Sequence, residues 1–213
     1  MARAFANIAF TPAVRAEQAR MGSAAGYAKF LEGDATFGDE LGPEEASFIM
    51  ARDGFYQATV SQTGWPYVQF RGGPRGFLKV LTSRTVAYAD FRGNRQYIST
   101  GNLSGNDRVS MILMDYPNRS RLKLWGRAHL IEGHENPEVM DQLHDRSYPA
   151  RPERAVLIKL EAFDWNCPSH ITRRFTAEEA HEEIAVLRRE NEALRAKINA
   201  HRTSKSTGPT HQT

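Results

Sequence analysis

A single cysteine, Cys167, is all that the 213 residues contain, so no intrachain disulfide can form. One lone thiol fits a reducing, cytoplasmic setting. Long apolar runs are missing as well. Nothing approaches the ~20 residues that a spanning helix needs, and no membrane association is expected. The N-terminal stretch carries Arg3, Arg15 and Arg20 without a continuous apolar region, which argues against a secretory signal. Metal chemistry lacks its spacing. None of the seven histidines falls in an HExxH run or a Cys/His cluster, so no metal site is expected. A phosphate-binding glycine loop is also lacking. The run RGGPRG, from Arg71 to Gly76, has neither the spacing nor the lysine of a P-loop, and no GxGxxG opens a helix. By itself RGGPRG is a tight corner or a close approach of backbone to a ligand.

What is present starts with an uneven charge. The net charge is only +3, yet residues 71 to 127 hold 11 Lys/Arg against 3 Asp/Glu. The remainder holds 17 basic and 22 acidic residues (28 − 11 and 25 − 3). The central segment seeks an anion, which nucleic acid or a phosphorylated small molecule would supply. A hydrophobic content of 40% is enough for one domain with a core and some attachments.

Residues 1–55 are predicted to be helical and to pack on a barrel formed by the middle of the chain. Thr11-Pro12 reads as an N-cap followed by proline at the first helical position, and Gly22 closes that helix. PEEASFIMARD, from Pro43, places Ala46, Ile49 and Met50 at helical spacing behind an acidic first turn. The period then changes. FYQATV, PYVQF, GFLKVL, TVAYAD, RVSMILM, RLKLWGRAHLIE and AVLIKLEAF are short β-branched or aromatic runs punctuated by turn residues. Seven such runs over residues 56–175 predict a mainly β fold, a closed or nearly closed antiparallel barrel. One helix interrupts it, opened by Asn136-Pro137.

The composition shifts after Phe175. Thr176 can cap a helix over 176–200 in which Ala177, Ala180, Ile184, Leu187, Asn191, Leu194 and Ile198 form an a/d seam. Asn191 falls at an a position, where a buried asparagine specifies register and dimeric state. The seam predicts a self-associating coiled coil; the alternative is a helix packed on its own barrel. Residues 201–213 read as a disordered tail.

Two constellations bear on chemistry. Cys167 lies in NCPSH with His170 three residues on, and a thiolate beside an imidazole is reactive. A buried cysteine at the barrel's end is the alternative. The second is ADFRGNRQYISTGNL, Ala89 to Leu103. An apolar strand ending at Asp90 delivers Arg92, Asn94 and Arg95 to one edge. Asn94 can cap a helix beginning at Arg95, so that free N–H groups and a guanidinium would face one spot. A turn that holds a phosphate and a solvated basic loop both fit these residues.

The run ATVSQTGWPYVQFRGG, then YADFRGNRQYISTGNLSGNDRVSMILMDY, then LKLWGRAHLIE and FDWNCPSHITRRF resembles the pyridoxamine 5'-phosphate oxidase superfamily, in its branch of predicted flavin-nucleotide-binding proteins. The resemblance spans roughly Ile8 to Phe175 and leaves the last helix outside. It implies an FMN-binding split β-barrel with flanking helices, a homodimer with flavin at the subunit interface, and FMN as cofactor. The strand after Gly64-Trp65-Pro66-Tyr67 would face the flavin with Gln69, Phe70, Arg71 and Gly72. The family's arginine position is Gln69 here, and Arg71 can compensate from the same strand face. The phosphate turn corresponds to Asn94, Arg95 and Gln96, behind Asp90, with the family's lysine replaced by Gln96. The family's flavin-facing glutamine falls near Arg121. Trp165, Asn166 and His170 correspond to C-terminal residues that the family's oxidases place near the flavin across the dimer; packing in the barrel is the other reading of Trp165.

The oxidases' substrate-phosphate residues and their R-L-A-P ending have no match, so the resemblance does not imply oxidation of pyridoxamine phosphate. It implies an FMN-dependent oxidoreductase passing hydride or electrons between a reduced donor and a small substrate. A flavin-binding protein without turnover, such as a sensor, is the alternative, as is a split barrel holding haem or another nucleotide. Nucleic-acid binding is not expected, because Glu178, Glu179, Glu182 and Glu183 precede the heptads where a basic zipper would carry cations.

Overall fold

Past Asp53 the side chains begin to alternate between inside and outside, and the backbone becomes a series of strands. The computed structural model describes residues 2–33, 36–165 and 168–206. The elements run β1 (Ala2–Arg3), α1 (Ala4–Ala9), α2 (Pro12–Arg20), α3 (Ala24–Ala28), β2 (Thr36–Phe37) and α4 (Pro43–Met50). Next come β3 (Gly54–Val60), β4 (Pro66–Gly72), β5 (Lys79–Thr82), β6 (Thr85–Phe91), α5 (Ile98–Gly105), β7 (Arg108–Asp115) and β8 (Ser120–Glu132). Last are α6 (Pro137–Leu143), β9 (Pro152–Trp165) and α7 (Ala177–Ser206). The chain divides between Ile171 and Thr172 into two compact units. No helix among the described residues is long and apolar enough to cross a membrane.

The seven apolar runs become seven strands of one antiparallel sheet in the order β4-β3-β7-β8-β9-β6-β5. Their alternation decides which face turns inward. Phe55, Gln57 and Thr59 of β3 are buried, as are Val109, Met111 and Leu113 of β7 and Leu122 and Leu124 of β8. The sheet rolls up until β3 meets β6, although three strands separate them in the hydrogen-bonded order. Phe55 and Tyr88 lie edge to face with ring centroids 5.2 Å apart, and the Tyr88 hydroxyl donates to Gln57 Oε1 at 2.8 Å. Burial pushes the Tyr88 phenol far above its usual range, so it stays a neutral donor. On the outer face, Ala87, Ala89 and Ala155 are small enough for α6 to seat Met140 and Leu143 against β6 and β9.

The helices begin where their capping residues sit. Thr11 accepts from the Val14 N–H, Asn136 from the Val139 N–H, and Gly22 takes a φ of 74° past the end of α2. In α4 the buried residues are Glu45 and Ile49, and Met50 is exposed, which corrects the expected Ala46–Ile49–Met50 face. Two bonds make the burial of Glu45 tolerable: it accepts from the Gly42 N–H and from the Trp165 indole N–H. Thr176 and Glu179 exchange bonds in a capping box at the start of α7, which runs past residue 200 to Ser206. The remainder of the sequence-predicted tail, 207–213, lies outside the described residues.

The β8–β9 ladder shifts register between Trp125 and Gly126. A methyl group on Gly126 would overlap the Lys159 carbonyl oxygen and stand 2.8 Å from Ile158 Cγ2. Both neighbours belong to the core ladder and have little room to give. Gly126→Ala is therefore expected to destabilise the barrel by about 2 kcal/mol, read as a lower urea midpoint. An unchanged midpoint would show that the bulge can open.

Candidate functional site

Strands β4 and β6 are not hydrogen-bonded to each other, and side chains bridge the gap. Arg71 of β4 donates to Asp90 Oδ1 of β6 at 2.6 Å. Arg154 of β9 stands opposite Asp90 in the β6–β9 register and reaches Asp90 Oδ2 at 3.5 Å and Thr100 Oγ1 at 2.9 Å. Burial pushes the Asp90 carboxyl above its usual value, and the two guanidiniums only partly pull it back. Helix α5 lies along the same seam. Its Ser99 hydroxyl donates to Gln69 Oε1 at 3.0 Å, and its Asn102 amide donates to Thr59 Oγ1 at 3.0 Å.

A cleft of about 250 Å³ opens here, and its walls include Tyr67, Gln69, Arg71, Asp90, the turn from Gly93 to Tyr97, and Ile98 to Thr100. Five of the sequence-predicted residues therefore share one cleft with Asp90: Gln69, Arg71, Asn94, Arg95 and Gln96. A neighbouring recess of about 280 Å³ shares Gln69, Arg71 and Asp90 and adds Phe70 and Gly72. Phe70 is exposed, with its ring edge-on to Tyr56 at 5.4 Å.

The turn is built differently from the expected cap. Arg95 and Tyr97 both take left-handed φ values, 62° and 52°, so no helix runs through them. Asn94 Oδ1 instead accepts from the Gln96 N–H, and the helix begins three residues later, at Ile98. The first intrahelical bond comes from the Gly101 N–H to the Tyr97 carbonyl, so the N–H groups of residues 98–100 have no partner within the helix. Tyr97 is clamped from one side, donating to Glu153 Oε1 and lying under the Arg154 guanidinium. Among the described residues Arg95 makes no ion pair, and the buried Arg71 Nε has no hydrogen-bond partner. An anion in the cleft would meet Arg95 and the start of α5 together.

The other sequence-predicted residues lie elsewhere. Arg121 stands opposite Met114 on β8, and Trp165 stands opposite Leu122 on β9, at the same end of those strands. Trp165 is packed against α4, its ring edge-on to Phe48 at 4.8 Å. His170 is exposed with a φ of 65°. None of these three lines the cleft of its own chain. Asn166 and Cys167 lie outside the described residues. Sequence reasoning missed Arg154 and Glu153. Their only signal is the β6–β9 register that sets Arg154 opposite Asp90, and no local motif carries it.

Part of the basic segment is paired within the fold. Arg84 pairs with Asp39 and Glu40, Arg92 with Glu153, and Arg127 with Asp107 and Glu161.

The family model described as "Pyridoxamine 5'-phosphate oxidase" matches residues 41–166. None of the curated proteins matches the chain. Among solved structures, a candidate pyridoxamine 5'-phosphate oxidase from Lactobacillus delbrueckii is 17% identical, with a TM-score of 0.46, over 59% of this chain and 94% of that one. General stress protein 26 from Bacillus anthracis is 13% identical, with a TM-score of 0.44, over 57% and 91%. An FMN-binding protein from Syntrophomonas wolfei is 15% identical, with a TM-score of 0.42, over 57% and 83%.

Removing Arg71 would leave Asp90 with the longer Arg154 contact alone. Arg71→Ala is expected to cost about 2 kcal/mol at pH 7, less than a fully buried pair because Arg154 remains. The folded protein holds the Asp90 proton more tightly than the unfolded chain does. Protonation there adds stability that is complete below the ordinary Asp value and disappears as pH rises through the raised one. A neutral Asp90 needs no counter-charge, so the gap between wild type and variant should close as pH falls through that raised value. Unfolding curves over a pH series test this; a gap that stays constant would show that Asp90 is not the partner that matters.

Proposed function

The chain belongs to the pyridoxamine 5'-phosphate oxidase family, whose members are flavin-binding proteins of oxidoreductase type, and from that premise we propose that it binds FMN and serves as an FMN-dependent oxidoreductase. The observation that carries the reading is the convergence of an unpaired Arg95 and the start of α5 in one polar cleft. That pairing suits the dianionic phosphate of FMN. Gln69 presents its amide along the β4 wall, and Arg71 Nε lacks a partner there. Bound FMN would supply hydride or electron transfer at its isoalloxazine ring. The chain's own groups position it. Asp90 is held between two guanidiniums and Glu153 accepts from Tyr97, so neither carboxylate is poised as a base. The missing substrate-phosphate residues separate this protein from oxidation of pyridoxamine phosphate.

The cleft of one chain is smaller than the roughly 300 Å³ and upward typical of small-molecule sites. Beside it, Tyr56, Trp65, Val68 and Phe70 are exposed on strands β3 and β4 and the turn between them, an apolar face on an edge strand. These features support a homodimer in which a second copy covers this face and completes the site, with Arg121, Trp165 and His170 as its contributing residues.

Arg95→Ala is expected to weaken FMN binding roughly 30-fold, the value of one charge-assisted bond, with the barrel's circular dichroism unchanged. Titration of the flavin-free protein with FMN, monitored by flavin fluorescence, measures it, and an unaltered affinity would remove the phosphate assignment. Phe70→Glu should yield a monomer by sedimentation and lose flavin at the same time. A monomeric variant that keeps FMN undiminished would overturn the shared site.

A further inference from the structure

From Ile184 to Ile198 helix α7 carries an exposed apolar line. Ile184, Leu187, Leu194 and Ile198 are between 44% and 59% exposed. These positions keep the a/d spacing read from the sequence, with Asn191 at the a position between them. A helix of this composition gains most of its stability from covering such a stripe.

The charges beside the stripe say what covers it. Glu183, Glu190 and Lys197 occupy g positions, and Arg188 and Arg195 occupy e positions. In a parallel, in-register pair each g residue faces the e residue five places on in the other helix. Glu183 would then meet Arg188, and Glu190 would meet Arg195, on both flanks. An antiparallel pair would set g against g and e against e, placing Arg opposite Arg on the e flank and leaving Lys197 as the one opposite charge for a glutamate on the g flank. Asn191 adds a separate constraint. Only in the parallel, in-register pair does it face its own counterpart; a slip of one heptad would bury its amide against Ile184 or Ile198. Two independent features, flank charge and seam polarity, select the same arrangement.

We propose that α7 pairs with α7 of a second copy of this chain as a parallel, in-register, two-stranded coiled coil. The pairing does not depend on the flavin reading. Its apolar seam is short, because Ala177 and Ala180 add little buried area, so register rests on the charges and on Asn191.

The test uses the full chain with Cys167 replaced by serine and a single spin label at Glu182→Cys or Ala196→Cys. Both are f positions on the outer side of the pair. The parallel pair gives a narrow, short distance between copies at both sites. An antiparallel pair gives a short distance at 196 and a much longer one at 182, and an unpaired helix gives a broad distribution at both; either result overturns the proposal, the second moving the occupant to a different partner. The double variant Glu183→Lys, Glu190→Lys should lose the short distance, and so should Arg188→Glu, Arg195→Glu. A labelled equimolar mixture of the two should regain it. Retention in either single population, or no recovery on mixing, would overturn the charge assignment.

Discussion

Asp90, held between Arg71 and Arg154, closes a sheet that backbone hydrogen bonds leave open. The seven-stranded order ends at β4 on one side and β5 on the other, with no ladder between the two halves of the split. Side chains make the closure: Arg71 to Asp90 from β4 to β6, Tyr88 to Gln57 from β6 to β3, and Asn102 to Thr59 from α5 to β3. A ladder would have filled this seam with paired backbone. Side-chain bridges leave space and unsatisfied donors between the strands, and the cleft occupies that space. The arrangement has a cost. Desolvation opposes the Asp90 charge even beside two guanidiniums, as its raised pKa shows. The same pairing fixes Arg71 in place, so any ligand meets a wall already ordered.

The turn from Asn94 to Tyr97 shows a similar exchange of local strain for position. Left-handed φ at a non-glycine residue is uncommon, and here two of three consecutive residues adopt it. Surrounding contacts hold them. Asn94 closes the turn onto Gln96, and Tyr97 is fastened to Glu153 beneath Arg154. The result sets the start of α5 at the mouth of the cleft and leaves Arg95 exposed beside it. A longer helix starting at Arg95 would have carried that side chain along its own surface.

Much of this was legible in the chain. Short β-branched and aromatic runs bounded by turn residues marked all seven strands, because such side chains fit a pleated, half-buried surface. The cap residues Thr11, Asn136 and Thr176 announced their helices through chemistry confined to three or four residues. The phosphate turn was legible as a region, since its composition is local. Its helix start was not, because Tyr97, whose left-handed φ precedes the helix, is held by contacts with β9, some 55 residues away in the chain. Arg154 could not be found for a related reason: its partner is set by strand register. Glu45 and Met50 exchanged expected places because a carboxylate with two donors, one from Trp165, can be buried with a smaller desolvation penalty than its type implies.

The distribution of charge and apolar surface also bears on how copies of the chain meet. Part of the central basic segment is paired within the fold, Arg84 with Asp39 and Glu40, Arg92 with Glu153, and Arg127 with Asp107 and Glu161. What stays uncovered is different in kind at two places. The β3–β4 face exposes Tyr56, Trp65, Val68 and Phe70 with no flanking pattern of sign, so it can give adhesion but little register. Helix α7 has a thin apolar seam but an ordered alternation of Glu and Arg beside it, so it can give register but little adhesion. A surface of the first kind tolerates sliding, and the shared cleft proposed above would not. Charge-set pairing of the kind proposed for α7 would select one register, which an apolar face by itself does not.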